Sequence, residues 1–203
     1  MRDRVTSIWI SGVGGQGTIL AAELIAMAAL ESGLDVKKSE VHGMAQRGGS
    51  VVSQVRFGTK VHSPLIAEGD ADVLLAFEKV EALRYAPVVK PEGFIISNTQ
   101  EIPSSTVLAG LDTYPKDVVE RLRAMTERLV LVPGEQIAKE LGALKVVNVV
   151  LLGVLAPLLP IAPEAWEKAI HTRLAGKKVE LNLQAFARGR TLFEEAVPAS
   201  LRK

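Results

Sequence analysis

Two glycine-rich stretches carry the side chains with the most chemistry in this 203-residue chain: Gly12-Val13-Gly14-Gly15-Gln16-Gly17 and His42-Gly43-Met44-Ala45-Gln46-Arg47-Gly48-Gly49. The first satisfies G-x-G-x-x-G through Gly12, Gly14 and Gly17. Glycines in such a loop permit a tight turn, clear side chains from an anion's approach and let a following helix pack closely. Free N–H groups and the helix dipole then favour negative charge. The second stretch adds Arg47, whose guanidinium can grip a phosphate or carboxylate through two bonds, the Gln46 amide, and the His42 imidazole, able to carry a proton. For His42 a hydrogen-bonded structural role is the plainer reading. For Arg47 the glycines at 43, 48 and 49 give the backbone freedom that close approach by a ligand or a neighbouring chain uses. Together the two stretches read as one anion-accepting or subunit-docking surface.

The elements around these loops follow from hydrophobic pattern. Val5 to Ser11 is a short apolar strand running into the first loop, and residues 18–30 form an almost wholly apolar helix in which only Glu23 is charged. Gly33 and Asp35 close that helix and residues 36–41 give a second strand, which makes a βαβ unit. Residues 50–57 alternate apolar with polar, and Gly58-Thr59-Lys60 suggests a tight connection to a further strand through Val61 and Ser63. Residues 71–77 are an apolar run broken only by Asp72 and suited to a central strand, followed by a helix from Glu78 to about Val89. Strands at 93–98 and 129–132 flank a helix that begins at Tyr114-Pro115 and runs to Met125. Helices over 135–141, 144–155, 163–174 and 179–195 complete the chain. The expected fold is α/β: a three-layer α/β/α, Rossmann-like arrangement with a mixed, mostly parallel sheet and a helical C-terminal third. A single domain over residues 1–195 and a loose tail over 196–203 are expected, with no internal repeat.

Composition narrows the function. The chain has no cysteine, so it has no thiolate for an iron–sulfur cluster and no cysteine nucleophile. A net charge of +1, with no basic run interleaved with aromatics, argues against nucleic acid as a partner. The start lacks a cleavage signature, and the apolar segment 146–162 is interrupted by Pro157 and Pro160 and is shorter than the roughly 20 residues of a membrane span. A cytoplasmic protein is expected.

Other constellations weigh less. A dinucleotide fold needs an acid about 20 residues beyond the glycine loop to hold ribose hydroxyls. Glu40 is the one candidate and sits slightly late, so a free-standing NAD-binding oxidoreductase stands as an alternative, with a non-catalytic scaffold as a third reading. Gly69-Asp70 with Asn98 loosely echoes a thiamine diphosphate motif but lacks its second glycine, and its acid precedes a strand instead of following one. Glu78, Glu81 and Arg84 have the spacing of a solvated, self-paired helix face.

The two loops taken jointly, as Gly12 to Gly17 and Ser39 to Ser50, followed by Arg56-Phe57-Gly58 and Ser63-Pro64, resemble the gamma-type subunits of 2-oxoacid:ferredoxin oxidoreductases, the pyruvate/ketoisovalerate oxidoreductase gamma family. Within it they are most similar to the small subunit of the indolepyruvate-oxidising branch. The resemblance spans nearly the whole chain, including Asn148 and residues 182–189.

It implies a subunit of a complex that decarboxylates a 2-oxoacid on thiamine diphosphate, passes electrons through iron–sulfur clusters to ferredoxin and releases an acyl-coenzyme A. Thiamine diphosphate, Mg and the 4Fe-4S clusters would lie on partner subunits, and this chain would hold no catalytic residue or metal ligand. Gly12, Gly14, Gly15, Gln16 and Gly17 with Gln46, Arg47, Gly48 and Gly49 would form a docking surface or share coenzyme A. A homodimer is a further expectation. Aryl pyruvate is the expected oxoacid, ahead of pyruvate, branched-chain oxoacids and 2-oxoglutarate. The isolated chain is expected to self-associate through an exposed apolar patch, for which 146–162 is the candidate. Arg47→Ala is expected to weaken coenzyme A saturation or assembly of the complex; a mutant complex that assembles normally with unchanged coenzyme A dependence counts against the assignment.

Overall fold

The computed structural model describes residues 5–42, 49–174, 176 and 179–202, with the backbone alone at positions 42 and 105. Among the described residues six strands form one sheet: β1 (Thr6–Val13), β2 (Asp35–His42), β3 (Ser50–Gly58), β4 (Ala71–Ala76), β5 (Val89–Asn98) and β6 (Leu129–Val132). Their order is β2-β3-β1-β4-β5-β6. β1, β4, β5 and β6 run parallel, whereas β3 lies antiparallel between β1 and β2, so the sheet is mixed and mostly parallel.

The α-helices of the described residues that connect and cover it are α1 (Thr18–Glu31), α2 (Lys79–Tyr85), α3 (Ser105–Leu108), α4 (Val118–Met125), α5 (Gly134–Glu140), α6 (Val147–Leu155), α7 (Pro163–Arg173) and α8 (Val179–Ala196). The two-residue period of β4 separates its side chains. Val73 and Leu75 join the main core with α1 and the C-terminal helices, while Leu74 and Ala76 join a smaller core with Ala82 of α2 and Val118 and Leu122 of α4. This is the three-layer α/β arrangement expected, with helices closing the C-terminal third.

The strand expected at Val61–Ser63 does not form. After Gly58 the chain leaves the sheet, and Val61 N–H donates to Asp35 Oδ2 at 2.8 Å in place of a ladder bond. The antiparallel partners of β3 are β2 and β1, so the mixed sheet arises from β3 inserted into the β1-α1-β2 unit. Arg56 fastens the departing loop: Nε donates to Ser7 Oγ at 3.2 Å, and Nη1 donates to the carbonyls of Ser63 at 3.2 Å and Leu65 at 3.0 Å. The Arg56 and Ser63-Pro64 signatures, apart in sequence, thus meet in space.

The apolar segment 146–162 is not an exposed patch, which corrects that expectation. Residues 149–152, 154 and 155 are fully buried because α8 lies directly on α6. Two glycines allow this approach. A Cβ on Gly153 would stand 2.1 Å from the Phe186 carbonyl oxygen, and one on Gly189 2.1 Å from that of Val150. Beyond α8, Val197 is buried in the main core and Leu201 packs against it. No helix among the described residues is long and apolar enough to cross a membrane.

Gly153→Ala and Gly189→Ala are each expected to destabilise the chain by about 2–3 kcal/mol through overpacking of backbone on backbone. Chemical denaturation measures this, and a loss below about 0.5 kcal/mol would mean that the helices separate freely.

Candidate functional site

The parallel strands end together, and the connections leaving those ends build the site. α1 leaves β1 toward the main core, and α2 leaves β4 toward the smaller core on the opposite face. The β1/β4 boundary is therefore the switch point of the sheet, where open α/β proteins bind their ligands. The loop at 12–17 sits on it.

Each glycine of that loop has its own reason. A Cβ on Gly12 would come within 2.8–2.9 Å of Thr18 Cγ2, Gln16 Oε1 and Phe77 Cβ. Gly14 N–H donates to the Gly49 carbonyl at 2.9 Å, which joins the first loop to the end of the second. Gly15 (φ +102°) faces open space, and Gly17 (φ +87°) starts α1 against Asn148 Nδ2. Both hold left-handed backbone that disfavours other residues.

Gln16 turns inward. Its Oε1 accepts from Val13 N–H at 2.7 Å, and its Nε2 donates to the Phe77 carbonyl at 2.8 Å and to Gln100 Oε1 at 2.6 Å. One side chain thus ties the loop after β1 to the segments that follow β4 and β5. It also occupies one of the amides that a simple phosphate cradle would present.

The resulting cleft of about 460 Å³ is lined by Gly15, Gln16, Gly17, Phe77, Gln100, Glu135, Leu144, Lys145, Val147 and Asn148. Among the described residues the amides of Gly15 and Gly17 and the Asn148 Nδ2 donate no hydrogen bond, and Lys145 is exposed at the rim. Asn98, fully buried beneath, holds the wall together. Its Oδ1 accepts from Gly134 N–H at 3.1 Å and its Nδ2 donates to the Phe77 carbonyl and to Glu135 Oε1. A second cleft of about 480 Å³ opens on the other side of the loop, between Gly14, Thr18, Ile19, Val51 and the Arg173–Glu23 ion pair at 2.7 Å. These linings offer N–H donors and one ammonium to an anionic or hydroxylated ligand. They are suited to gripping and orienting it.

Of the residues singled out in the sequence, Gly12, Gly14, Gly15, Gln16, Gly17 and Gly49 come together here. Gln46, Arg47 and Gly48, with Gly43, Met44 and Ala45, lie outside the described residues, as does the His42 side chain. Glu40 does not serve the loop. It pairs with Lys38 at 2.6 Å on β2, which β3 separates from β1, two strand spacings or about 10 Å away.

Glu78 and Glu81 are not a solvated helix face: they are 1% and 5% exposed. Glu78 caps α2 through Glu81 N–H at 3.0 Å, accepts from Ile102 N–H at 3.3 Å and accepts the Tyr114 hydroxyl. It thereby pins the loop that carries Gln100. Glu81 accepts from Ser50 Oγ at the start of β3 and from Arg84 Nε at 3.1 Å, so the pairing expected with Arg84 forms on a buried acid. Helical spacing misled because β3 and the 99–114 segment cover this face from a distance in sequence. Acids just beyond an apolar strand end were the available signal.

Burial, together with the Glu78 carboxylate, pushes the Tyr114 hydroxyl well above the ordinary tyrosine range. A raised folded-state value stabilises the fold fully below the unfolded-state value of about 10, and the contribution is lost as pH rises beyond it. Tyr114→Phe is expected to cost roughly 1.5–3 kcal/mol at neutral pH, as for a hydrogen bond to a charged group, and to flatten the loss of stability above about pH 10. Urea unfolding of both proteins across that range checks this; parallel stability curves would remove Tyr114 as the titrating group.

Comparisons with known proteins extend the picture. The profile of the family described as Pyruvate ferredoxin/flavodoxin oxidoreductase matches residues 7–192. The chain is 40% identical over 190 residues to the indolepyruvate oxidoreductase subunit IorB of Thermococcus kodakarensis, covering 90% of this chain and 93% of the relative. It is 42% identical to the IorB subunit of Archaeoglobus fulgidus, covering 90% and 92%. Among solved structures, the keto/oxoacid ferredoxin oxidoreductase gamma subunit from Geobacter sulfurreducens superposes with a TM-score of 0.68 at 27% identity, covering 94% of this chain and 99% of that one.

Proposed function

The chain belongs to the pyruvate ferredoxin/flavodoxin oxidoreductase family, and we propose that it is the small subunit of a 2-oxoacid:ferredoxin oxidoreductase acting on an aryl pyruvate such as indolepyruvate. The support is the match along almost the full length of both chains to subunits named for indolepyruvate oxidation. In this reading a partner subunit holds thiamine diphosphate with Mg and the iron–sulfur clusters, and electrons leave to ferredoxin. The complex releases an acyl-coenzyme A.

The cleft at the end of β1 and β4 is this chain's contribution, and it carries the reading. Among the described residues its free donors are the Gly15 and Gly17 amides, the Asn148 amide and Lys145, while the Glu135 carboxylate of the same lining accepts from Asn98; a pyrophosphate would take up these donors, with Lys145 at the rim where a phosphate would enter. The same end of the sheet exposes Ile19 beside one cleft, Leu144 beside the other and Val41 at the end of β2. Apolar side chains so placed around a donor-lined opening suit a partner that closes the site. Catalysis would fall to that partner, while this chain positions coenzyme A and seals the reaction from water.

A free NAD-binding role is disfavoured by the position of Glu40 and by Gln16 filling the inner loop. Co-purification of the tagged chain from an anaerobic extract is expected to bring down a cluster-bearing subunit with coenzyme A-dependent, indolepyruvate-driven dye reduction. In that complex Lys145→Ala is expected to raise KM for coenzyme A about fivefold, or ~1 kcal/mol, with KM for the oxoacid unchanged. Equal changes in both constants would assign the cleft to docking alone. A chain that elutes by itself and binds NAD would overturn the proposal.

A further inference from the structure

β2 is one edge of the sheet, with β3 on one side and no strand of the described residues on the other. Its eight residues pair with β3 in unbroken register, and none of residues 35–41 is buried. An edge of this length offers a row of N–H and C=O groups to another strand, and natural proteins blunt such edges with proline, a bulge or charged side chains, lysine above all. β2 has no proline and no bulge, and its charges are of both signs. The opposite edge, β6, is only four residues long.

The order of those charges matters. Val36 packs against the main core, so positions 36, 38 and 40 face α1 while 35, 37 and 39 face the other side of the sheet. Lys38 and Glu40 are therefore neighbours on one face, joined by an ion pair of 2.6 Å that spans Ser39. Lys38-Ser39-Glu40 is its own complement when read backwards, because two antiparallel copies centred on Ser39 set each Lys38 opposite a Glu40. We propose that β2 docks on β2 of a second copy of this chain, antiparallel, with Ser39 on the two-fold axis and Lys38 opposite Glu40 of the other copy on either side of it.

Strand geometry selects this register. Hydrogen-bonded and non-hydrogen-bonded pairs alternate along an antiparallel ladder. An axis between two residues would make adjacent pairs equivalent, so it must pass through a residue. Two such registers overlap seven residues of β2. One centres on Lys38 and sets like charges face to face, which is destabilising. The other centres on Ser39, pairs 36 with 42, 37 with 41 and 38 with 40, and leaves only a small hydroxyl on the axis. A carboxylate accepts several donors, so Glu40 takes Lys38 of the second copy beside the partners it already has. Exposed ion pairs add little affinity; the ladder supplies the attraction and the charges fix the register. β1 and β2 run parallel, each antiparallel to β3, so this dimer sends the two glycine loops to opposite ends of the joined sheet. The clefts stay open whatever they bind, and the inference stands apart from their ligand.

The chain has no cysteine, so one introduced thiol reports on one position. In the Ser39-centred register the two Ser39 Cα atoms lie about 4.5–5.5 Å apart, within disulfide reach, whereas the two Lys37 Cα atoms are offset by about 13 Å along the strands and are not. Mild oxidation of the full chain is expected to give a covalent dimer with Ser39→Cys about tenfold faster than with Lys37→Cys. Sedimentation of the cysteine-free chain is expected to show a concentration-dependent dimer, which Lys38→Glu weakens about tenfold and the double variant Lys38→Glu with Glu40→Lys restores. A chain that stays monomeric at millimolar concentration would overturn the proposal. So would crosslinking at 37 as fast as at 39, or a double variant that associates no better than Lys38→Glu.

Discussion

The Gln16 amide is the constraint on which the functional end of the molecule depends. Parallel strands of an open sheet finish side by side, but nothing in their ladders holds together the loops that leave them. Here one side chain satisfies Val13 N–H, the Phe77 carbonyl and Gln100 at once. It can do so because Gly12 has no Cβ to occupy the same space. The brace continues outward: Lys79 N–H donates to the Gln100 carbonyl, and the buried Glu78 holds Ile102 and Tyr114. The donors left over, at Gly15, Gly17 and Asn148, stand on a frame whose other polar groups are engaged. Pre-organised donors of this kind bind without first having to order the loop.

The layers are unequal, and that asymmetry shapes what the surface can do. The C-terminal helices crowd one face, with Gly153 and Gly189 letting α6 and α8 touch through their backbones. The other face is covered by α2 and α4 over β4 and β5, while beside β1 and β3 the 59–70 loop is drawn across and held by Arg56. The helical layer supplies the core, and the strand ends with their loops are free to meet a ligand or another chain.

Within a family of oxoacid oxidoreductases this division has a chemical logic. Decarboxylation and electron transfer need cofactors, whereas acyl transfer to a thiol carrier needs the carrier held in place and water kept out. Amides, helix ends and a rim ammonium are groups suited to the second task, which in the proposed reading falls to this chain. The partner would supply the first.

Much of this was legible in the chain itself. Glycines spaced at 12, 14 and 17 after an apolar strand could mark only a tight strand-to-helix loop, because the backbone needs of that turn are local. The apolar run at 71–77, broken only by Asp72, likewise declared a strand covered on both faces. The joint pattern of the two loops carried the family resemblance. Other features depended on residues far apart in sequence. β3 enters between β1 and β2, an arrangement that removes Glu40 from the glycine loop, and ladder pairing between distant segments leaves no local trace. Glu78 and Glu81 look like a charged surface because their spacing is helical, and only β3 and the 99–114 segment folding over them make them buried braces. Local backbone geometry is written in residue type and spacing; which face of an element becomes covered is decided by what packs against it, and that is a property of the tertiary structure alone.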